Sequence, residues 1–160
     1  MAYNTIKLTK HLDVIAEYTA TAVALTPGTL IELGSAGTVQ AHSTQGGSVL
    51  PMFVLEDELQ GKGIDDNIAA SNKIQCWIPT RGDIVYAILQ DGENVAIGDF
   101  LSSNGTGTLI KLDVAASGGA EPVNNTIVGI ALEAVDLSDS SGGESSGALA
   151  YNKRIKVRII

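Results

Sequence analysis

From residue 27 onward the chain is a succession of short apolar runs separated by turn signals, which restricts it to folds made of short strands. Pro-Gly at residues 27–28, Asp-Gly at residues 91–92 and Asn-Gly at residues 104–105 are typical of tight turns. The runs between them are rich in Val, Ile and Leu, and 18 glycines fit many turns better than a helical bundle. We therefore predict an all-β or β-dominated domain, a small β-barrel or sandwich with at most one short helix, at residues 64–71.

The stretch around the only Trp predicts two strands with a turn between them. Residues 73–78 alternate in polarity, which places Cys76 and Trp77 on opposite faces of a strand. Residues 79–83 contain Pro and Gly and lead into another apolar run, so we predict a β-hairpin. If the Cys76 face covers the core, Trp77 points outward. It then lies either in a protein interface or beneath a second sheet or the loop of residues 56–71.

The last residues of the sequence also alternate, with Ile155, Val157 and Ile159 separated by charged side chains. This pattern is typical of a strand with one buried face. We predict that it pairs with the apolar run of residues 126–135, and that the Ser/Gly/acidic residues 136–147 form the loop between them.

The first 25 residues differ from the rest of the chain because they are rich in Thr and Ala and contain two lysines before the first clear turn. We predict an extended N-terminal docking arm at residues 1–25 and a β-barrel or sandwich domain at residues 26–160. Deletion of residues 2–24 should then leave the domain folded. The residues expected to contact a partner are Tyr3, Ile6, Lys7, Leu8 and Lys10.

Charge and composition exclude several classes of function. A net charge of −8 argues against nucleic acid as a partner, because phosphate binding needs a basic face. Cys76 is the only cysteine, so no internal disulfide can form, and its apolar neighbours indicate a buried thiol. No window approaches the roughly 20 apolar residues of a membrane span, and the N-terminus lacks a signal-peptide pattern. We expect a soluble protein with no membrane partner.

The acidic run Glu56-Asp57-Glu58, followed by Asp65 and Asp66, is the one candidate for a divalent cation site. Its spacing does not match a calcium loop, and adjacent residues of an extended segment point to opposite sides. A solvated or interface-forming acidic surface is the favoured interpretation. We predict no metal site and no cofactor.

No pattern in the sequence predicts a catalytic site. His11 and His42 are far apart, and Ser43 and Ser48 lie near His42 without a third group that would orient it. Arg-Gly-Asp at residues 81–83 lies where the chain must reverse, and we interpret it as turn chemistry. We therefore expect a protein that is not an enzyme.

The order of turns and strands resembles that of the head decoration (capsid cement) proteins of tailed bacteriophages. The segments that carry the resemblance are PGTLIEL at residues 27–33, PMFVLED at 51–57, GKGIDD at 61–66, GD at 82–83, GDFL at 98–101 and VGIALEAV at 128–135. Together they span roughly residues 25–135, and they are patterns of turns and strands without chemical motifs.

This resemblance implies a structural virion protein, made in the bacterial cytoplasm, that binds the outer surface of the expanded capsid. Such proteins bridge subunits of the major capsid protein, often as homotrimers at threefold or quasi-threefold positions. Phe53, Glu56, Asp57 and Trp77 are then candidates for an oligomer or capsid interface. The alternatives are another virion module, of the tail or baseplate, and a small carbohydrate-binding β domain, which the shortage of aromatic residues disfavours.

Overall fold

The computed structural model describes residues 3–21, 23–112, 126–138 and 153–160, which form two main sheets and a short ribbon. The prediction of a β-dominated fold is confirmed, although the sheets do not form a closed barrel. A short 3₁₀ helix at Glu58–Gln60 interrupts the strands. The strands are β1 (Lys7–Thr9), β2 (Ile15–Ala20), β3 (Ile31–Leu33), β4 (Thr38–Ala41), β5 (Phe53–Val54), β6 (Lys73–Trp77), β7 (Ile84–Ile88), β8 (Asn94–Val95), β9 (Phe100–Ser103), β10 (Leu109–Lys111), β11 (Ile127–Ala131), β12 (Val135–Asp136) and β13 (Arg154–Ile159).

The larger sheet has six antiparallel strands in the order β1-β7-β13-β11-β9-β10. The last strand, β13, lies inside this sheet and pairs with β7 on one side and β11 on the other. Val157 lies opposite Ala131, which confirms the predicted pairing of the last strand with residues 126–135. The predicted connecting loop lies outside the described residues from position 139 onward.

The smaller sheet has five strands in the order β3-β4-β2-β6-β5. Its pairs are antiparallel except for β2 and β4, which run parallel. A single bridge between Leu30 and Phe53 connects β5 with the segment that leads into β3. The third sheet is a ribbon of β8 and β12.

Each face of the five-stranded sheet covers a different hydrophobic core. Phe53 and Trp77 belong to the main core, which also contains residues of the six-stranded sheet such as Val157. Their neighbours Val54 and Cys76 point the other way, into a second core. The predicted alternation across β6 is therefore present, but both of its faces are buried.

Of the two alternatives for Trp77, the structure has the second, burial beneath another sheet, and Phe53 is fully buried as well, so neither interface candidate is exposed to a partner. The physical reason is the second sheet, which covers the face that sequence alternation leaves unassigned. The indole nitrogen of Trp77 donates a hydrogen bond to the carbonyl of Leu12, 3.4 Å away. Cys76 is buried as predicted, and burial raises the pKa of its thiol to about 12.

The predicted hairpin of residues 73–89 does not form. β6 lies in the five-stranded sheet, where β2 and β5 occupy both of its edges, and β7 lies in the six-stranded sheet. Residues 79–83 therefore carry the chain from one sheet to the other. Sequence alternation predicts a strand but not the strand that pairs with it.

Residues 64–71 form turns rather than the short helix that the sequence allowed. Asp66 accepts a hydrogen bond from the backbone of Gly63, which favours a turn. Ile68 exchanges two backbone hydrogen bonds with Leu25, and both side chains are buried in the second core.

The N-terminal residues belong to both sheets and not to a separate arm. β1 pairs with β7, β2 pairs with β6 and β4, and Ile6 is fully buried in the main core. The expected boundary at residue 25 therefore does not separate an arm from a body. The Thr and Ala residues that suggested an arm include partners of β6, such as Ala16 opposite Cys76 and Thr19 opposite Lys73.

Candidate interaction surface

The five residues predicted to contact a partner through the N-terminus are directed mainly at the protein's own body. Tyr3 packs edge-to-face on Tyr86, with ring centroids 5.3 Å apart. Ile6 is fully buried, and Leu8 is partly buried against the main core. Their contribution to partner binding stays a prediction, and Ile6 can contribute only indirectly.

Lys7 and Lys10 both bind the carboxylate of Asp13, Lys7 at 3.2 Å. The hydrogen bond from Lys10 is the largest cause of the lowered pKa of Asp13; desolvation opposes it, and the hydrogen bond and charge of Lys7 add to the lowering. The cations predicted to face a partner therefore neutralise a charge of their own segment.

The same N-terminal segment exposes apolar side chains that the sequence did not single out. Leu12, Val14 and Ile15 have exposed fractions of 59%, 44% and 42%. The backbone carbonyl of Leu12 accepts a hydrogen bond from Trp77 of the main core, so this segment contacts the core through its backbone while the Leu12 side chain faces outward.

A second apolar surface lies on the outer face of the six-stranded sheet. Phe100 lies opposite Ile130, Ile130 opposite Arg158, and Arg158 opposite Ile84. Directly paired residues point to the same face, and the next residue on each of these strands, such as Val157, packs in the main core. These four residues, the outer row, therefore cross four neighbouring strands, a span of about 14 Å.

Within the outer row, Phe100 is 41% exposed and Arg158 is exposed, whereas Ile130 and Ile84 are half-buried. The adjacent Ile97 is 70% exposed on the turn before β9. An aromatic residue and an arginine flanked by aliphatic side chains have the composition of a protein-protein interface.

The acidic residues of the predicted surface, at positions 56–58 and 65–66, have separate structural roles. Glu56 is buried and accepts hydrogen bonds from the hydroxyl of Thr5 and from the backbone of Ile6. Asp57 caps the 3₁₀ helix, and Asp65 pairs with Arg154 at 2.7 Å. Within the described ranges, no group of three His, Cys, Asp or Glu residues could hold a metal ion.

The ring of His42 contacts the hydroxyl of a serine that is distant in the sequence. Its Nδ1 lies 2.8 Å from the hydroxyl of Ser103, and its Nε2 lies 3.2 Å from the carbonyl of Ser48 and 3.7 Å from Glu32. Ser103 is fully buried and also accepts a hydrogen bond from the backbone of Gly105. A substrate cannot reach this hydroxyl without a rearrangement, so the geometry fits a link between two turns better than a nucleophile.

The Arg-Gly-Asp sequence forms a turn whose aspartate is inaccessible. Asp83 is fully buried and accepts hydrogen bonds from the backbone and hydroxyl of Thr80 and from the backbone and ring of His11, at 2.6 to 3.0 Å. Desolvation of Asp83 raises its pKa, but the hydrogen bonds from Thr80 and His11 outweigh it and leave the pKa below its ordinary value. The interpretation as turn chemistry agrees with this geometry.

A cleft of about 380 Å³ lies between residues 23–29 and the ends of β7 and β10. Its walls are mostly apolar and threonine side chains, with the ion pair of Lys153 and Asp91 at one side. Gln90 and Arg154 also line the cleft. The short 3₁₀ helix of the described chain is neither long nor apolar enough to cross a membrane.

The fold is similar to that of the N base of head fiber gp8.5 of bacteriophage phi29, known from a crystal structure. The TM-score is 0.51 with 12% sequence identity, and the match covers 92% of this chain and 95% of that chain. No family model and no curated protein matches the sequence. At this identity the likeness establishes the fold alone.

Proposed function

We propose that this chain is a structural protein of the head of a tailed phage. In this proposal it binds the outer surface of the expanded capsid and bridges neighbouring subunits of the major capsid protein. It acts without a cofactor and without catalysis, and it sits at threefold or quasi-threefold positions as a homotrimer. The observation that carries the proposal is the likeness over 92% of the chain to the base of a phage head fiber.

Two further features support the proposal. The order of turns and strands resembles that of capsid decoration proteins, on grounds independent of the fold comparison. In addition, Phe100 and Arg158 of the outer row and the exposed N-terminal residues Leu12, Val14 and Ile15 present apolar surface in two places. A protein that bridges subunits needs more than one contact surface, and a typical interface buries about 800 Å² on each partner.

A binding assay with purified phage heads tests the proposal. Expanded heads that lack the protein are mixed with increasing amounts of it and sedimented. We expect saturable co-sedimentation and a higher temperature of head disruption, because each bound copy stabilises the expanded shell by mass action. Purified tails serve as the matched control, since a tail or baseplate module would bind them instead. Binding to tails alone, or to neither particle, would contradict the proposal.

A further inference from the structure

The 3₁₀ helix at Glu58–Gln60 presents an apolar side chain in a rigid acidic frame. Leu59 is 89% exposed, more than any other large apolar residue among those described, and Glu58 beside it is exposed as well. Asp57 caps the turn, and Gly61 closes it in the left-handed conformation with a hydrogen bond to Glu58. These three residues, Asp57, Glu58 and Leu59, form what we call the acidic knob.

The frame of the acidic knob is anchored to the folded body. Glu56, immediately before it, is buried and bound to the N-terminal backbone at Ile6. The turn is also closed on itself, because the backbone of Lys62 donates a hydrogen bond to the carbonyl of Asp57. With its preceding residue bound to the body and its own backbone closed, the knob holds Leu59 outward before it binds, which lowers the conformational entropy lost on binding.

The outer row has the complementary chemistry. Arg158 is exposed between the aliphatic side chains of Ile130 and Ile84, with Phe100 at the end of the row. Its guanidinium forms no hydrogen bond or ion pair with any residue in the described part of the chain. The two surfaces are complementary. The carboxylate of the knob can pair with the guanidinium of the outer row, and the apolar side chains beside them can pack against each other.

We infer that the acidic knob of one copy docks on the outer row of a second copy, with Leu59 against Ile84 and Ile130 and the carboxylate of Glu58 on Arg158. The inference rests on the proposed function, which includes self-association, and it names the surfaces that associate. Both surfaces are present on every chain, so the contact is head-to-tail, and it gives a closed ring such as a trimer where the rotation between copies closes.

Among the ways in which two copies can meet, electrostatics favours the contact between the acidic knob and the outer row. The chain has a net charge of −8, so most orientations of two copies bring like charges together. The proposed contact instead brings the acidic segment of one copy to an exposed cation of the other. It also covers Leu59 and Phe100, two exposed apolar residues of the described surface.

Charge reversal in both directions tests the contact in the absence of phage heads. Association is measured by sedimentation velocity for the wild type and for Arg158→Glu, Glu58→Arg and the double variant. We expect a ring-sized oligomer for the wild type, about 30-fold weaker association for each single variant, as for a hot-spot residue, and recovery in the double variant. Leu59→Ser should weaken association in the same way.

Matched controls separate the contact from general effects of charge or unfolding. Lys73→Glu reverses an exposed cation on the other sheet, and Leu50→Ser removes an exposed apolar residue elsewhere. Both should associate like the wild type, and all variants should keep the wild-type melting temperature.

Two results would overturn the inference. One is a wild type that remains monomeric at every concentration tested, and the other is a double variant that associates no better than the single ones. An oligomer that depends on Glu58 and Arg158 but does not bind heads would support the contact and contradict the proposed function instead.

Discussion

At the scale of single residues, Asp83 illustrates how one buried carboxylate connects distant parts of the chain. It accepts hydrogen bonds from Thr80 within its own turn and from His11, which lies 72 positions away in the sequence. The turn between the two sheets and the N-terminal segment are therefore held by the same side chain. Such hydrogen bonds to an ionised group are stronger than those between neutral groups.

Replacing this carboxylate should destabilise the protein in a pH-dependent way. We expect Asp83→Asn to lower the free energy of unfolding at pH 7 by about 2 kcal/mol, the range of hydrogen bonds to charged groups. The folded pKa of Asp83 lies below the ordinary 3.8, so its stabilisation is complete above that value and is lost as the pH falls through the folded pKa. Urea unfolding should show a difference between wild type and variant that shrinks in acid.

Glu17→Gln provides the control for this experiment, since Glu17 is exposed and lies 3.9 Å from Lys73 in a weak surface pair. It should leave the unfolding curve nearly unchanged. A loss of stability for Asp83→Asn that is the same at all pH values would show that the ionised carboxylate is not what stabilises the turn.

For Trp77, the sequence predicts the direction of the side chain but not what covers it. The alternation of residues 73–78 predicts that Cys76 and Trp77 point to opposite faces, and they do. The alternation contains no information on what covers each face, because that depends on strands far away in the sequence. The same limitation applies to Phe53, and to Ser103, whose contact with His42 joins residues 61 positions apart.

At the scale of elements, the N-terminal strands are the point where structure and sequence pattern differ most. β1 extends the six-stranded sheet, whereas β2 lies between β4 and β6 in the five-stranded sheet. The periodicity of residues 1–25 is weak because β1 has only three residues and its register is interrupted beside β7. The weak hydrophobic periodicity of this segment therefore reflects short strands and does not mean that the segment is unstructured.

Deletion of residues 2–24 should consequently unfold the protein, contrary to the expectation drawn from the sequence. The deletion removes two strands and Ile6, leaves β6 without a partner on one edge, and uncovers Trp77. Circular dichroism and urea titration are expected to show no cooperative transition. Removal of residues 1 and 2 alone is the control and should preserve it. A deletion variant with a wild-type transition would restore the model of an independent arm.

Some elements could be predicted from the sequence, and the reasons are specific. The last strand has regular alternation of Ile and Val with charged residues, and its pairing with residues 126–135 is confirmed. The crossover between β6 and β7 could not be predicted, because a five-residue segment that contains a Pro and a Gly fits a hairpin turn equally well. The outer row could not be predicted either, since its members belong to four strands and become neighbours only through the pairing register of those strands.

At the scale of the whole molecule, the features that point outward determine what the protein can do. The two sheets bury the apolar faces of nearly every strand, and the buried polar groups Asp83, Glu56 and Ser103 bind the protein's own backbone or side chains. Among the described residues, the surfaces open to partners include the outer row, the acidic knob and the exposed N-terminal residues. In the proposed function, all three surfaces would have a use in binding and assembly.

The most direct test of this account is an electron cryomicroscopy map of the tailed-phage particle whose genome encodes the chain, at a resolution that separates the strands of a sheet. The account predicts density for both sheets on the outer surface of the head, at threefold or quasi-threefold positions, in contact with at least two subunits of the major capsid protein. Density for this fold only in the tail or baseplate, or isolated copies away from any threefold position, would contradict it.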